Sequence, residues 1–177
     1  MSLAAFLWLG LGCGGAQQAA DRGKIATGKT LTVVGVISVR GASPADFVLL
    51  TADDRTEFTL QPSDLTRELA RLDNVRVSVE GMLQVPSGGG PILLEASGYR
   101  ILSLENGLEP MVGWVMVRSG GCFLKSVDGP EWTLIGDLAA LLAGFDGAKV
   151  WVIGERTDRS GAERQLEVEG YGILAER

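Results

Sequence analysis

Histidine is absent from the 177 residues. That removes imidazole as a general base, proton shuttle or metal ligand. Cysteine occurs only at Cys13 and Cys122, too far apart in sequence to build a Cys-rich metal site. No Gly-x-Ser-x-Gly, phosphate loop or dinucleotide fingerprint is present. The expectation is a protein that is not an enzyme, with no catalytic residue, cofactor or metal. Positive charge is also scarce: 16 Lys and Arg against 22 Asp and Glu give a net charge of −6. No Lys/Arg cluster stands out. A phosphate backbone is bound mainly through Lys and Arg, so nucleic acid is a poor partner. The apolar run at residues 3–12 is too short to span a bilayer.

What the chain does contain, it contains twice. Leu94-Glu95-Ala96-Ser97-Gly98-Tyr99-Arg100-Ile101-Leu102 is matched by Leu166-Glu167-Val168-Glu169-Gly170-Tyr171-Gly172-Ile173-Leu174. A repeat of this kind decides the architecture before any motif does. Upstream, Val75-Arg76-Val77-Ser78-Val79-Glu80-Gly81 answers Ala148-Lys149-Val150-Trp151-Val152-Ile153-Gly154. Further back, Asp64-Leu65 answers Asp137-Leu138, Glu57-Phe58-Thr59-Leu60 answers Glu131-Trp132-Thr133-Leu134, and Val34-Gly35 answers Val112-Gly113. Two divergent copies of one small domain are expected, each near the size at which a single core barely suffices.

Alternation of apolar and polar residues gives the elements. The first copy reads as strands over Thr30–Val39, Phe47–Ala52 and Thr56–Gln61, a short helix from Asp64, and strands over Val75–Gln84 and Ile92–Leu102. The second reads as strands over Met111–Arg118, Cys122–Val127 and Glu131–Ile135, a helix over Leu138–Phe145, and strands over Ala148–Arg156 and Gln165–Leu174. Ser103 to Pro110 bridges the copies. The acidic residues have structural roles in this reading. Asp53-Asp54 makes a hairpin turn, Asp64 and Asp137 cap helix starts, and Asp73 and Asp146 sit in the turn after the helix.

Three strands, a short helix and two strands is the order of the OB-fold, a five-stranded, partly open barrel. Both copies resemble small bacterial envelope OB-fold domains. The shared tokens are the early Val-Gly, the Phe/Trp-Thr-Leu strand, the Asp-Leu helix start and the Val-x-Val-x-Gly strand. The resemblance implies a mainly β protein of two tandem five-stranded OB-fold barrels, each with one short helix between strands three and four. The amino terminus resembles the signal of bacterial lipoproteins: an apolar stretch closed by a small residue and Cys13. It departs from that pattern in having Gly10 where Leu is preferred and no positive n-region. The implied organisation is a signal peptide over 1–12, a lipidated Cys13 and tether over 13–28, a first OB-fold over 29–104, and a linker with a second OB-fold over 105–177. Gly14 is not the Asp of an inner-membrane retention signal. An outer-membrane lipoprotein facing the periplasm of the cell envelope is therefore expected.

Function is sought where the copies disagree. Val36 becomes Trp114, Ser38 becomes Met116, Ser78 becomes Trp151 and Glu80 becomes Ile153. With Val77, Val79, Val150 and Val152 inward, strand alternation sends Trp114, Met116, Trp151 and Ile153 outward. Strands one and four adjoin in the OB order, so the four should form an apolar patch, which marks an interface. It could pack on the first copy, bind another envelope protein or line a ligand groove. The usual OB ligand loops fall at Arg40–Asp46, Gln84–Pro91, Arg118–Gly121 and Thr157–Arg164, and none holds an aromatic residue for stacking. The leading expectation is a structural or adaptor protein acting through protein–protein binding. An oligosaccharide- or nucleic-acid-binding module is the alternative, and a small hydrolase comes last.

Overall fold

The computed structural model describes residues 28–41, 46–157 and 164–176. In chain order the first half contains β1 (Thr30–Arg40), β2 (Phe47–Ala52), β3 (Glu57–Leu60), α1 (Asp64–Leu69), β4 (Arg76–Gln84) and β5 (Ile92–Ser103). The second half contains β6 (Met111–Arg118), β7 (Gly121–Ser126), β8 (Glu131–Ile135), α2 (Asp137–Leu142), a 3-10 turn (Ala143–Phe145), β9 (Lys149–Thr157) and β10 (Gln165–Ala175). The protein is thus mainly β, with the same element order twice. Each half forms one five-stranded sheet whose pairings close into a ring, β1-β2-β3-β5-β4 and β10-β8-β7-β6-β9. The β3–β5 and β8–β10 pairs are parallel and the other pairs antiparallel. Closure gives every strand a neighbour on both sides, over three residue pairs where β3 meets β5 and where β8 meets β10.

Alternation fills each ring. Ile37, Leu50, Val77, Val79, Leu83 and Leu94 are fully buried in the first; Val115, Leu124, Val150, Val152 and Leu166 are buried in the second. Glycine is required where strands cross closely. A β-carbon on Gly35 would lie 2.3 Å from the Thr51 carbonyl oxygen, and one on Gly113 would lie 2.4 Å from that of Lys125. The same holds for Gly81 against Glu95 and Gly154 against Glu167. The Val-Gly and Val-x-Val-x-Gly tokens therefore mark close backbone contacts. The Gly-Tyr pair of the duplicated motif follows a β-bulge. Ser97 is skipped between the pairs Gly81–Ala96 and Glu80–Gly98, and Glu169 is skipped between Gly154–Val168 and Ile153–Gly170. A bulge adds twist, which suits a strand that bends across a closing sheet.

The helix ends correct one expectation. Ser63, not Asp64, caps α1, its Oγ accepting from Thr66 N at 3.1 Å. Gly136 holds the cap position of α2 with no side-chain hydrogen bond. Asp64 and Asp137 are the first helical residues, where a carboxylate meets the positive end of the helix. Asp54 does make the turn contact, accepting from Thr56 N at 2.9 Å, and these Thr56 hydrogen bonds hold its carboxyl below the usual range. Asp73 and Asp146 do more than occupy a turn. Asp73 Oδ1 accepts from Val39 N at 3.0 Å and Asp146 Oδ1 from Val117 N at 2.9 Å. Each pins the segment after the helix to the first strand of its own copy.

Gly154→Ala should destabilise the protein by about 2 kcal/mol, because its β-carbon meets backbone that has no room to yield. Gly98→Ala, whose β-carbon enters open space, should stay within about 0.5 kcal/mol of the parent. Urea denaturation of the two variants checks this.

Candidate functional site

Trp114, Met116, Trp151 and Ile153 do not share one environment. Trp151 and Ile153, on β9, are half-buried and pack against the core cluster of the first copy, with Val112 of β6. Leu174 of β10 is itself buried in that cluster. The outer face of β6, β9 and β10 therefore lies on the helix side of the first sheet. Trp114 and Met116 lie beyond this contact. Trp114 is 41% exposed, while Met116 is half-buried and faces Phe123 of β7.

Small residues make room for the junction. Trp151 pairs across strands with Gly172, and Ile153 with Gly170. A β-carbon on Gly172 would lie 2.5 Å from the indole Nε1 of Trp151, and one on Gly170 would lie 3.1 Å from Ile153. In the first copy the matching pairs are Ser78–Arg100 and Glu80–Gly98. The exchange of Ser and Arg for Trp and Gly is concerted across the strand pair. It converts a polar surface into a flat apolar one.

A polar cluster closes the same junction. Lys149 Nζ of β9 donates to Glu68 Oε2 of α1 at 2.6 Å, and the Tyr99 hydroxyl donates to the same oxygen at 2.6 Å. Lys149 also sits 4.8 Å from the centroid of the Tyr99 ring. The Lys149 and Glu68 side chains retain only 18% and 14% of their exposure. Burial, then the hydrogen bond to Glu68, pushes the Tyr99 phenol well above the ordinary tyrosine range. Beside the cluster, Arg71 donates to the Ile173 carbonyl at 3.5 Å and lies 3.8 Å from Glu176. Charged groups buried this far require partners, and the ion pair joins α1 of the first copy to β9 of the second.

Around Trp114 the surface is concave. A groove of about 510 Å³ is lined by Trp114, Val115, Met116, Val117, Lys125, Asp146 and Gly147. Phe123 stands next to it, under the Arg118 guanidinium at 5.5 Å. Arg118 also grips Glu131 with two bonds of 2.9 and 3.0 Å. Phe123 lies on a strand and not in one of the expected ligand loops, so no sequence signal singles it out. A second groove, about 580 Å³, lies in the first copy between β2, β3 and α1. Its buried hydroxyl, Thr66, is already bonded to Ser63 and the Gln61 carbonyl, and its charged lining residues are Asp46 and Arg67.

Cys13 lies outside the described residues, as do residues 42–45 and 158–163 within two of the expected ligand loops. Cys122 is buried on β7, and burial raises its thiol pKa, which suppresses the thiolate that would react. Among the described residues no three of Cys, Asp and Glu are placed to hold a metal ion. No helix among them is long and apolar enough to cross a membrane.

Removing one partner of the buried pair should cost more than removing both. Lys149→Met or Glu68→Leu alone should destabilise the protein by about 3 kcal/mol, and the double variant by less than either. Chemical denaturation across the double-mutant cycle reads the difference. No protein-family model matches the chain, and comparison with curated proteins finds no significant match.

Proposed function

We propose that the chain is a non-catalytic adaptor of the bacterial cell envelope, built from two OB-fold barrels and held to the membrane by a lipid on Cys13. The closed five-stranded sheets and the helix between strands three and four support the OB reading. The outer membrane, facing the periplasm, is the proposed location. The binding surface is the outer face of β6 and β7 around Trp114 and Met116, and its partner is a protein.

One observation carries this reading: a large indole left 41% exposed above a groove. The neighbouring Trp151 and Ile153, by contrast, are used inside the chain. Exposed aromatic residues next to a pocket are common anchors of protein interfaces. An oligosaccharide is the second reading, favoured by Lys125 and Asp146 in the same groove, since an aromatic platform with polar flanks also suits a sugar. The net charge of −6 disfavours nucleic acid.

The test is crosslinking in native envelopes followed by capture of the full chain. Trp114→Val should abolish a crosslinked protein adduct while leaving stability within about 1 kcal/mol. Trp151→Ser should lower stability by about 2 kcal/mol through loss of junction packing. An adduct indifferent to Trp114→Val, or glycan probes that protect the groove, would displace the protein-partner reading. Anchoring is tested separately: Cys13→Ser should leave an unprocessed, unlipidated precursor by mass spectrometry.

A further inference from the structure

The repeat aligns Asp64–Asp73 with Asp137–Asp146, and the helical surfaces differ sharply. At inward positions Thr66 and Leu69 are answered by Ala139 and Leu142, all buried. At outward positions Arg67, Glu68 and Arg71 are answered by Ala140, Leu141 and Gly144. Leu141 is 58% exposed, and Phe145 is 38% exposed where its counterpart Leu72 is buried. The outward positions of the second copy's helix are thus apolar and exposed, with the carboxylate of Asp137 exposed at the helix start. In the first copy the same positions are charged, and Glu68 is covered by the sheet face of the second copy while Arg67 and Arg71 stay exposed.

The covered end supplies a precedent within the chain. It accepts a sheet face carrying a tryptophan with a lysine nearby, Trp151 and Lys149. The β6–β7 face has the same make-up: Trp114 and Met116, with Lys125 directly across from Trp114. It adjoins the helix end of the second copy, because Gly147 N donates to the Val115 carbonyl at 2.9 Å and Asp146 accepts from Val117. Face and helix end belong to one rigid domain and cannot fold onto each other. About a two-fold axis, however, each can meet the other's counterpart. Charge favours this. Lys125 and Asp137 are both exposed, and neither makes an ion pair among the described residues. The corresponding face of the first copy, on β1 and β2, has Val36, Ser38 and Thr51 in place of Trp114, Met116 and Lys125, and so carries neither the aromatic anchor nor the charge. A two-fold arrangement uses both surfaces of each chain and so closes at two.

We propose that the partner at this surface is a second copy of the chain. In the resulting two-fold dimer, Trp114 and Met116 of one protomer cover Leu141 and Phe145 of the other, and Lys125 meets Asp137. This rests on reading the Trp114 surface as protein-binding, and it names the protein.

The experiment is sedimentation of the full chain in mild detergent across the micromolar range. The parent should sediment as a protein dimer. Leu141→Asp and Trp114→Asp should each weaken dimerisation by more than about tenfold with an unchanged far-ultraviolet spectrum. Lys125→Asp and Asp137→Lys should each weaken it, and the two together in one chain should restore it, a rescue that misfolding cannot imitate. A parent that stays monomeric, or a dimer indifferent to Leu141→Asp, overturns the proposal. The crosslinking capture above then decides separately whether the Trp114 surface serves a different protein.

Discussion

The indole of Trp151 occupies space that any side chain on Gly172 would claim, and it rests on the core of the first copy. Much else depends on that contact. It brings β9 against α1, and so sets Lys149 beside Glu68 and Tyr99. An ion pair with so little exposure is tolerable only when the apolar packing around it holds its geometry. The packing supplies the attraction and the charges supply the register. Two small closed sheets, each with a limited core of its own, thereby act as one larger body.

Duplication separates what a fold needs from what a surface does. Both copies keep the glycines at strand crossings, the bulge before Gly98 and Gly170, and the Asp73 and Asp146 hydrogen bonds to the first strand. Both keep an exposed ion pair from the end of the first strand, Arg40–Glu57 and Arg118–Glu131, a contact worth little in free energy at such exposure. The differences fall on two outer surfaces. On the sheet face, Ser78 and Arg100 give way to Trp151 and Gly172. On the helix, Arg67, Glu68 and Arg71 give way to Ala140, Leu141 and Gly144. The first change is matched by a partner inside the chain. The second leaves Leu141 and Phe145 exposed.

The strands were legible because alternation and paired repeats carry the same information twice. Strand limits moved by a residue or two, as they do wherever hydrogen bonding rather than side-chain pattern sets the end. Asp is a good cap in general, but in α1 Ser63, one residue earlier, is an equally good one, and in α2 Gly136 holds that place. Outward placement of Trp114 and Trp151 followed from strand parity, but parity says nothing about what lies opposite. Only three-dimensional placement separated a tryptophan packed on the other copy from one facing solvent. The Lys149–Glu68 pair joins residues far apart in sequence, with no local signal at either. The apolar helix surface is legible in the repeat itself, where Arg67, Glu68 and Arg71 align with Ala140, Leu141 and Gly144.

The central claim is that the copies form a single body locked at Trp151. Residual dipolar couplings measured on the full chain test it most directly. One alignment tensor, with one magnitude and orientation, should fit the amides of both copies, and Trp151→Ser should separate it into two. Two distinct tensors in the parent protein would mean that the copies move independently, and would contradict the account.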